Sequence, residues 1–93
     1  MSELPKTEEG ISLFNQVVDM VDRGKSALHQ ALVDSGKESD PKAWNAVQSK
    51  NSQMQVAFWQ WFNLPEDHKV KCYDVLHEEL MALIKQLKHE LSA

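Results

Sequence analysis

The chain has 93 residues, with 14 acidic and 10 basic side chains for a net charge of −4, 42% hydrophobic residues, and only three glycines and three prolines. That length holds one small domain and excludes a multidomain enzyme or a dinucleotide-binding fold; the composition excludes disorder, collagen and a turn-rich β-sandwich. Mass scaling gives a folded surface of roughly 5,500 Å², so about 65% of the extended chain's surface can be buried around one core. The acidic balance removes the attraction that drives phosphate-backbone binding, and nucleic acid is not an expected partner.

A single cysteine, Cys72, leaves no intramolecular disulfide, and stability has to come from packing. Met1-Ser2-Glu3-Leu4-Pro5-Lys6 lacks the positive-then-apolar order of a signal peptide, and no apolar run reaches the length of about 18 residues that a membrane span needs. The expectation is a soluble chain synthesised in the cytoplasm, any export following a signal-peptide-independent route.

The first periodic stretch spans about residues 8–34, with Thr7 as N-cap and Glu8 and Glu9 where the helix dipole favours acids. Ile11, Phe14, Val18, Val21, Lys25, Leu28 and Leu32 follow the alternating three-and-four spacing of a helix seam. Gly24, beside the charged position, marks a point of expected bending or fraying. Gly36 reads as the left-handed stop, and Ser39-Asp40-Pro41 as the next start, Asp40 capping and Pro41 occupying the first helical position. A short loop here predicts two antiparallel helices.

The second helix, about residues 41–63, places Trp44, Val47, Asn51, Met54, Phe58 and Trp61 on a coiled-coil-like seam. Asn51 is its polar member, either buried to set register or facing solvent. Between Ala43 and Pro65 the only charge is Lys50, which points to a helix contacted on more than one side. Asn63-Leu64-Pro65-Glu66-Asp67 then breaks and restarts the chain, with Asn63 as a cap candidate. The third helix, about residues 65–91, carries the stripe Val70, Tyr73, Leu76, Leu80, Leu83, Leu87 and Leu91, widened by Met81 and Ile84.

Catalytic chemistry finds little to work with. Glu78 and Glu79 diverge by about 100° on a helix and do not converge on one substrate atom, and no phosphate loop or nucleophile elbow occurs. His68 and Cys72, four apart, with Glu79 two turns on, make an incomplete ligand set for zinc. No catalytic residue, cofactor or metal site is assigned. The stretch Phe58-Trp59-Gln60-Trp61-Phe62 holds four of the seven aromatics; Phe58 and Trp61 belong to the seam, while Trp59 and Phe62 fall off it and read as either a protein-contact patch or part of a wide core face.

Ser39-Asp40-Pro41, then Ala46, Gln48-Ser49-Lys50 and Ser52, resemble the needle and inner-rod subunits of bacterial type III secretion systems, in which such a turn separates two helices and the second carries a similar run. Val70-Lys71-Cys72-Tyr73 and Ile84-Lys85-Gln86 are similar to that family's C-terminal segment, whereas Met54, the rings at 58–62, Pro65 and the charged tail depart from it. The resemblance implies assembly of a secretion apparatus. The expectation is an all-α chain of three helices, an antiparallel hairpin with a third helix packed back, working by non-enzymatic protein association. As a needle- or rod-like subunit it would present Lys50, Gln55, Trp59 and Phe62 to neighbouring chains as a homo-oligomer. The rivals are an adaptor, chaperone or inhibitor binding one protein partner through 58–62, a metal or redox protein using His68 and Cys72, and a DNA-binding regulator lacking a basic face.

Overall fold

The computed structural model describes residues 8–92, apart from the side chain of Glu9; Thr7, the expected N-cap, and the N-terminal residues Met1 to Lys6 lie outside them. Four helices account for nearly all of this span: α1 (Glu8–Asp34), α2 (Pro41–Phe62), α3 (Glu66–Lys71) and α4 (Tyr73–Ser92). The fold is all-α, and no described residue is in a strand. No helix among the described residues is long and apolar enough to cross a membrane.

The first turn forms by local chemistry. Ser35 Oγ donates to the Leu32 carbonyl at 2.7 Å, and Gly36 takes φ +71°, a conformation that a Cβ would strain. The Asp40 side chain then accepts from the Lys42 amide at 3.0 Å, with Pro41 at the start of α2. The connection is short enough to fold α2 antiparallel onto α1. Phe14 accordingly meets Phe58 and Phe62 near one end, with ring centroids 6.3 and 5.7 Å apart, while His29 meets Trp44 near the other at 5.9 Å.

The third predicted helix is two helices. Cys72 separates α3 from α4, with φ −95° and ψ 5°. Hydrogen bonds still run on both sides of the break, from the Cys72 amide to the His68 carbonyl at 2.8 Å and from the Leu76 amide to the Cys72 carbonyl at 3.0 Å. Residues 70–74 contain neither glycine nor proline, so the interruption carries no sequence signal. The side-chain amide of Asn63 donates to the Trp59 carbonyl at 2.8 Å, closing α2, and the N-cap position of α3 is Pro65.

α4 returns along the hairpin and packs against both α1 and α2. Its C-terminal end reaches the first loop, where Lys37 Nζ donates to the Leu91 carbonyl, an orphan acceptor of the last helical turn. The bundle measures 45 × 21 × 16 Å, about the length of α1 at 1.5 Å per residue. Its radius of gyration of 14.8 Å exceeds the roughly 12 Å of a compact chain this long, and its surface of 6285 Å² exceeds the scaling expectation for the same reason.

The seams of α1 and α2 are rotated from their predicted lines, whereas α4 buries the leucines of its predicted stripe together with Ile84. Val17, Val21, Leu28, Ala31 and Leu32 are buried on α1; Ala43, Val47, Lys50, Met54, Ala57, Trp61 and Phe62 on α2; Lys69 on α3; and Leu76, Leu80, Leu83, Ile84, Leu87 and Leu91 on α4. On α1 and α2 Val21, Leu28, Leu32, Val47, Met54 and Trp61 persist, while Val18, Lys25, Trp44, Asn51 and Phe58 give way to the residue before each. The rotation brings small residues, Gly24, Ala31, Ala43 and Ala57, into the contacts and moves Val18, Trp44 and Phe58 to the flanks. Gly24 is thus a contact point within an unbroken α1: a Cβ there would lie 3.1 Å from Met54 Sδ. The helix does not fray there, and Gly24 instead admits Met54 closely.

Candidate functional site

α2 concentrates the features from which a binding surface can be built. Its only charged residues are Lys42 in the first turn and Lys50. Lys50 is 7% exposed and its Nζ lies 3.1 Å from Glu90 Oε1 on α4, so its charge is directed inward and neutralised. From Trp44 to Asn63 the solvent-facing side chains are then all uncharged: Trp44, Asn45, Gln48, Ser49, Ser52, Gln53, Gln55, Val56, Trp59, Gln60 and Asn63. The outward faces of α1 and α4 are unlike this, bearing Asp19, Asp22 and Arg23 on one and Asp74, Glu78, Lys85 and Lys88 on the other.

Trp59 stands on an aromatic base. Its ring meets Phe58 at 5.2 Å and 70°, and Phe62 at 5.5 Å and 84°, both edge-to-face geometries that the ring quadrupole favours. Phe58 and Phe62 continue inward to Phe14 and Trp61. Trp59 nevertheless remains 53% exposed, a large apolar ring fixed in place at the surface. Next to it, Ser52, Gln53, Val56, Ala57 and Gln60 line a shallow groove closed on the other side by Glu79 of α4.

Below this surface, α3 is fastened to the end of α2. Trp61 Nε1 donates to the Lys69 carbonyl at 2.9 Å, satisfying a buried indole. The Lys69 side chain is buried, with its ammonium 5.0 Å from the Phe62 ring centroid, 5.9 Å from that of Trp61 and 3.5 Å from Glu66 Oε1. A lysine can occupy this position because its apolar stem covers the rings while the ammonium meets ring faces and a carboxylate. Val70, expected on the stripe, is turned outward and is 66% exposed.

The four residues expected to face neighbouring chains therefore separate. Gln55 and Trp59 lie on the outward face of α2; Lys50 and Phe62 are interior, and that part of the reading is corrected. Lys50 is drawn in by Glu90, and Phe62 by the Phe14 and Phe58 rings. Ser39, Asp40 and Pro41 form the α1–α2 turn, at the end of the bundle opposite Trp59, and Trp44 joins them through its Nε1 donating to the Glu38 carbonyl. Asn51 is half-buried, with Oδ1 enclosed and without a hydrogen-bond partner.

His68 is exposed and Cys72 half-buried at the helix break, while Glu79 faces the α2 groove; among the described residues no group of three or more His, Cys, Asp or Glu is placed to hold a metal ion. Sequence reasoning missed the outward placement of Trp44 and the neutrality of the whole outward face, since both depend on the phase of α2. Lys50 as the sole charge of its central portion was the signal available. The chain matches no protein-family model, no curated protein and no solved structure.

Proposed function

We propose that this chain acts by non-enzymatic protein association through the outward face of α2, with Trp59 as the anchor and Gln55 beside it. The observation that carries this reading is an exposed indole held edge-on by two phenylalanines on a face with no charge. A ring already immobilised by its neighbours loses little freedom on binding, and an uncharged surround requires no ion to be desolvated. An adaptor, chaperone or inhibitor engaging one protein partner fits these features.

A needle- or rod-like subunit is the second reading. It is supported by the Asp40-capped turn between antiparallel helices, which is what the resemblance to type III secretion subunits implies, and by exposed apolar residues on several sides, including Ile11 on α1, Val70 on α3 and Met81 on α4. A subunit that polymerises needs more than one such surface.

Trp59→Ala tests the shared claim. The ring is half in solvent, so the variant should remain folded, with its thermal midpoint little changed. In affinity capture from cells expressing the tagged full chain, it should lose at least tenfold of the protein that the wild type retains. Equal recovery by both chains would overturn the assignment of this surface.

A further inference from the structure

The exposed side chains of α2 are arranged symmetrically. Trp44, Gln48, Ser52, Gln55 and Trp59 fall within an arc of about 80° at 3.6 residues per turn, and all five are exposed. Trp44 and Trp59 are equidistant from the midpoint between Asn51 and Ser52, and so are Gln48 and Gln55. The stripe therefore reads the same from either end: an indole, an amide, a small hydroxyl, an amide, an indole.

We propose that a second copy of this chain is the occupant of the face, with α2 packed antiparallel on its counterpart about a two-fold axis near Ser52. This rests on the reading of the outward α2 face as a binding surface and names its partner. Such an axis sets Trp44 of one copy beside Trp59 of the other at both ends, and Gln48 beside Gln55. An amide carries both donor and acceptor, so these glutamine pairs can satisfy one another. Ser52, small and beside the axis, lets the helices approach.

Charge selects the same face. A chain of net charge −4 repels its own copies, and the outward faces of α1 and α4 carry ions of both signs that self-pairing would have to desolvate, whereas the outward face of α2 from Trp44 to Asn63 presents none. Both indoles are also held in advance, Trp44 by the Glu38 carbonyl and the His29 ring, Trp59 by Phe58 and Phe62. They stand about 22 Å apart along the helix, one at each end of the stripe. Eleven outward side chains, flanked by His29 on α1 and Glu79 on α4, suit an interface near the lower bound of about 1,000 Å² for a specific complex, hence a reversible pair. An isologous contact of this kind closes at two subunits.

Sedimentation velocity of the full chain across the micromolar range tests this. The expected result is a monomer–dimer equilibrium that never grows further. Ser52→Glu sets two like charges against each other beside the axis and should weaken the dimer by about tenfold or more, with helix content and thermal midpoint unchanged in dilute solution. Gln86→Lys, exposed on α4 and outside this face, should leave it within about twofold. Gln48→Lys combined with Gln55→Glu in one chain pairs opposite charges only in the antiparallel arrangement and should retain the dimer, while Gln48→Glu with Gln55→Glu should weaken it. A monomer at every concentration, a dimer indifferent to Ser52→Glu, or loss of the dimer in the opposite-charge variant would overturn the proposal. A monomer whose captured partner still depends on Trp59 would overturn the second copy alone and leave the binding surface in place. Open-ended growth would overturn the closed pair in favour of the rod-like subunit.

Discussion

The two ends of this bundle are built by different kinds of interaction. At the loop end the decisive contacts mostly join residues close in sequence: Ser35 to Leu32, Asp40 to Lys42, Trp44 to Glu38, with Gly36 supplying the one positive φ among the described residues. At the aromatic end they depend on elements folding together: Phe14 on Phe58 and Phe62, Trp61 on the Lys69 carbonyl, and the Lys69 ammonium over two rings. The comparison separates chemistry that a short segment performs alone from chemistry that exists only when distant segments meet. It also locates the exposed indole: Trp59 stands on the tertiary end, where its orientation is inherited from the packing beneath it.

Substitutions can break this contrast in graded fashion. Trp61→Ala should have the largest effect, about 3–5 kcal/mol of destabilisation in urea unfolding, because it empties a buried site and leaves the Lys69 carbonyl without its indole partner. Asp40→Ala, at the loop end, should cost about 1 kcal/mol, the worth of one N-cap, measured the same way. The ratio of these two values is the contrast between tertiary and local anchoring, and equal effects would contradict it. Smallest is Lys50→Met: Glu90 is half exposed and rehydrates when its partner is removed, while the methionine retains the apolar stem, so stability should stay within about 1 kcal/mol of wild type.

The helix boundaries were largely legible because caps and stops are local. Asp40 and Pro41 start α2 and Gly36 ends the preceding turn wherever those residues occur in such an order. The phase of α4 was legible in its leucines, but the phases of α1 and α2 were less so. An apolar stripe with a 3.6-residue period is broad enough to be centred on either of two adjacent lines, and hydrophobicity favours the line with the larger side chains. The folded chain takes the line with the smaller ones, since Gly24, Ala43 and Ala57 let helix axes approach while Trp44 and Phe58 cover the flanks. The backbone phase also places Lys50 inside beside the half-buried Asn51, and Lys69 inside where Val70 was expected. Of the candidate residues, Gln55 and Trp59 are exposed as the sequence reading placed them; Phe62 is interior because the ring that receives it, Phe14, comes from another helix.

The amino-acid sequence by itself determined that this protein is helical, where its main turns fall, and that its second helix has a single charge in its central portion, because each follows from residue type and near-neighbour hydrogen bonding. Only the tertiary structure decided that this charge points inward, that the third helical stretch breaks at Cys72, and that α2 presents a neutral stripe with an indole at each end. Those properties depend on how far each helix is rotated about its axis, and that rotation is set by the fit of side chains between helices rather than by any one segment.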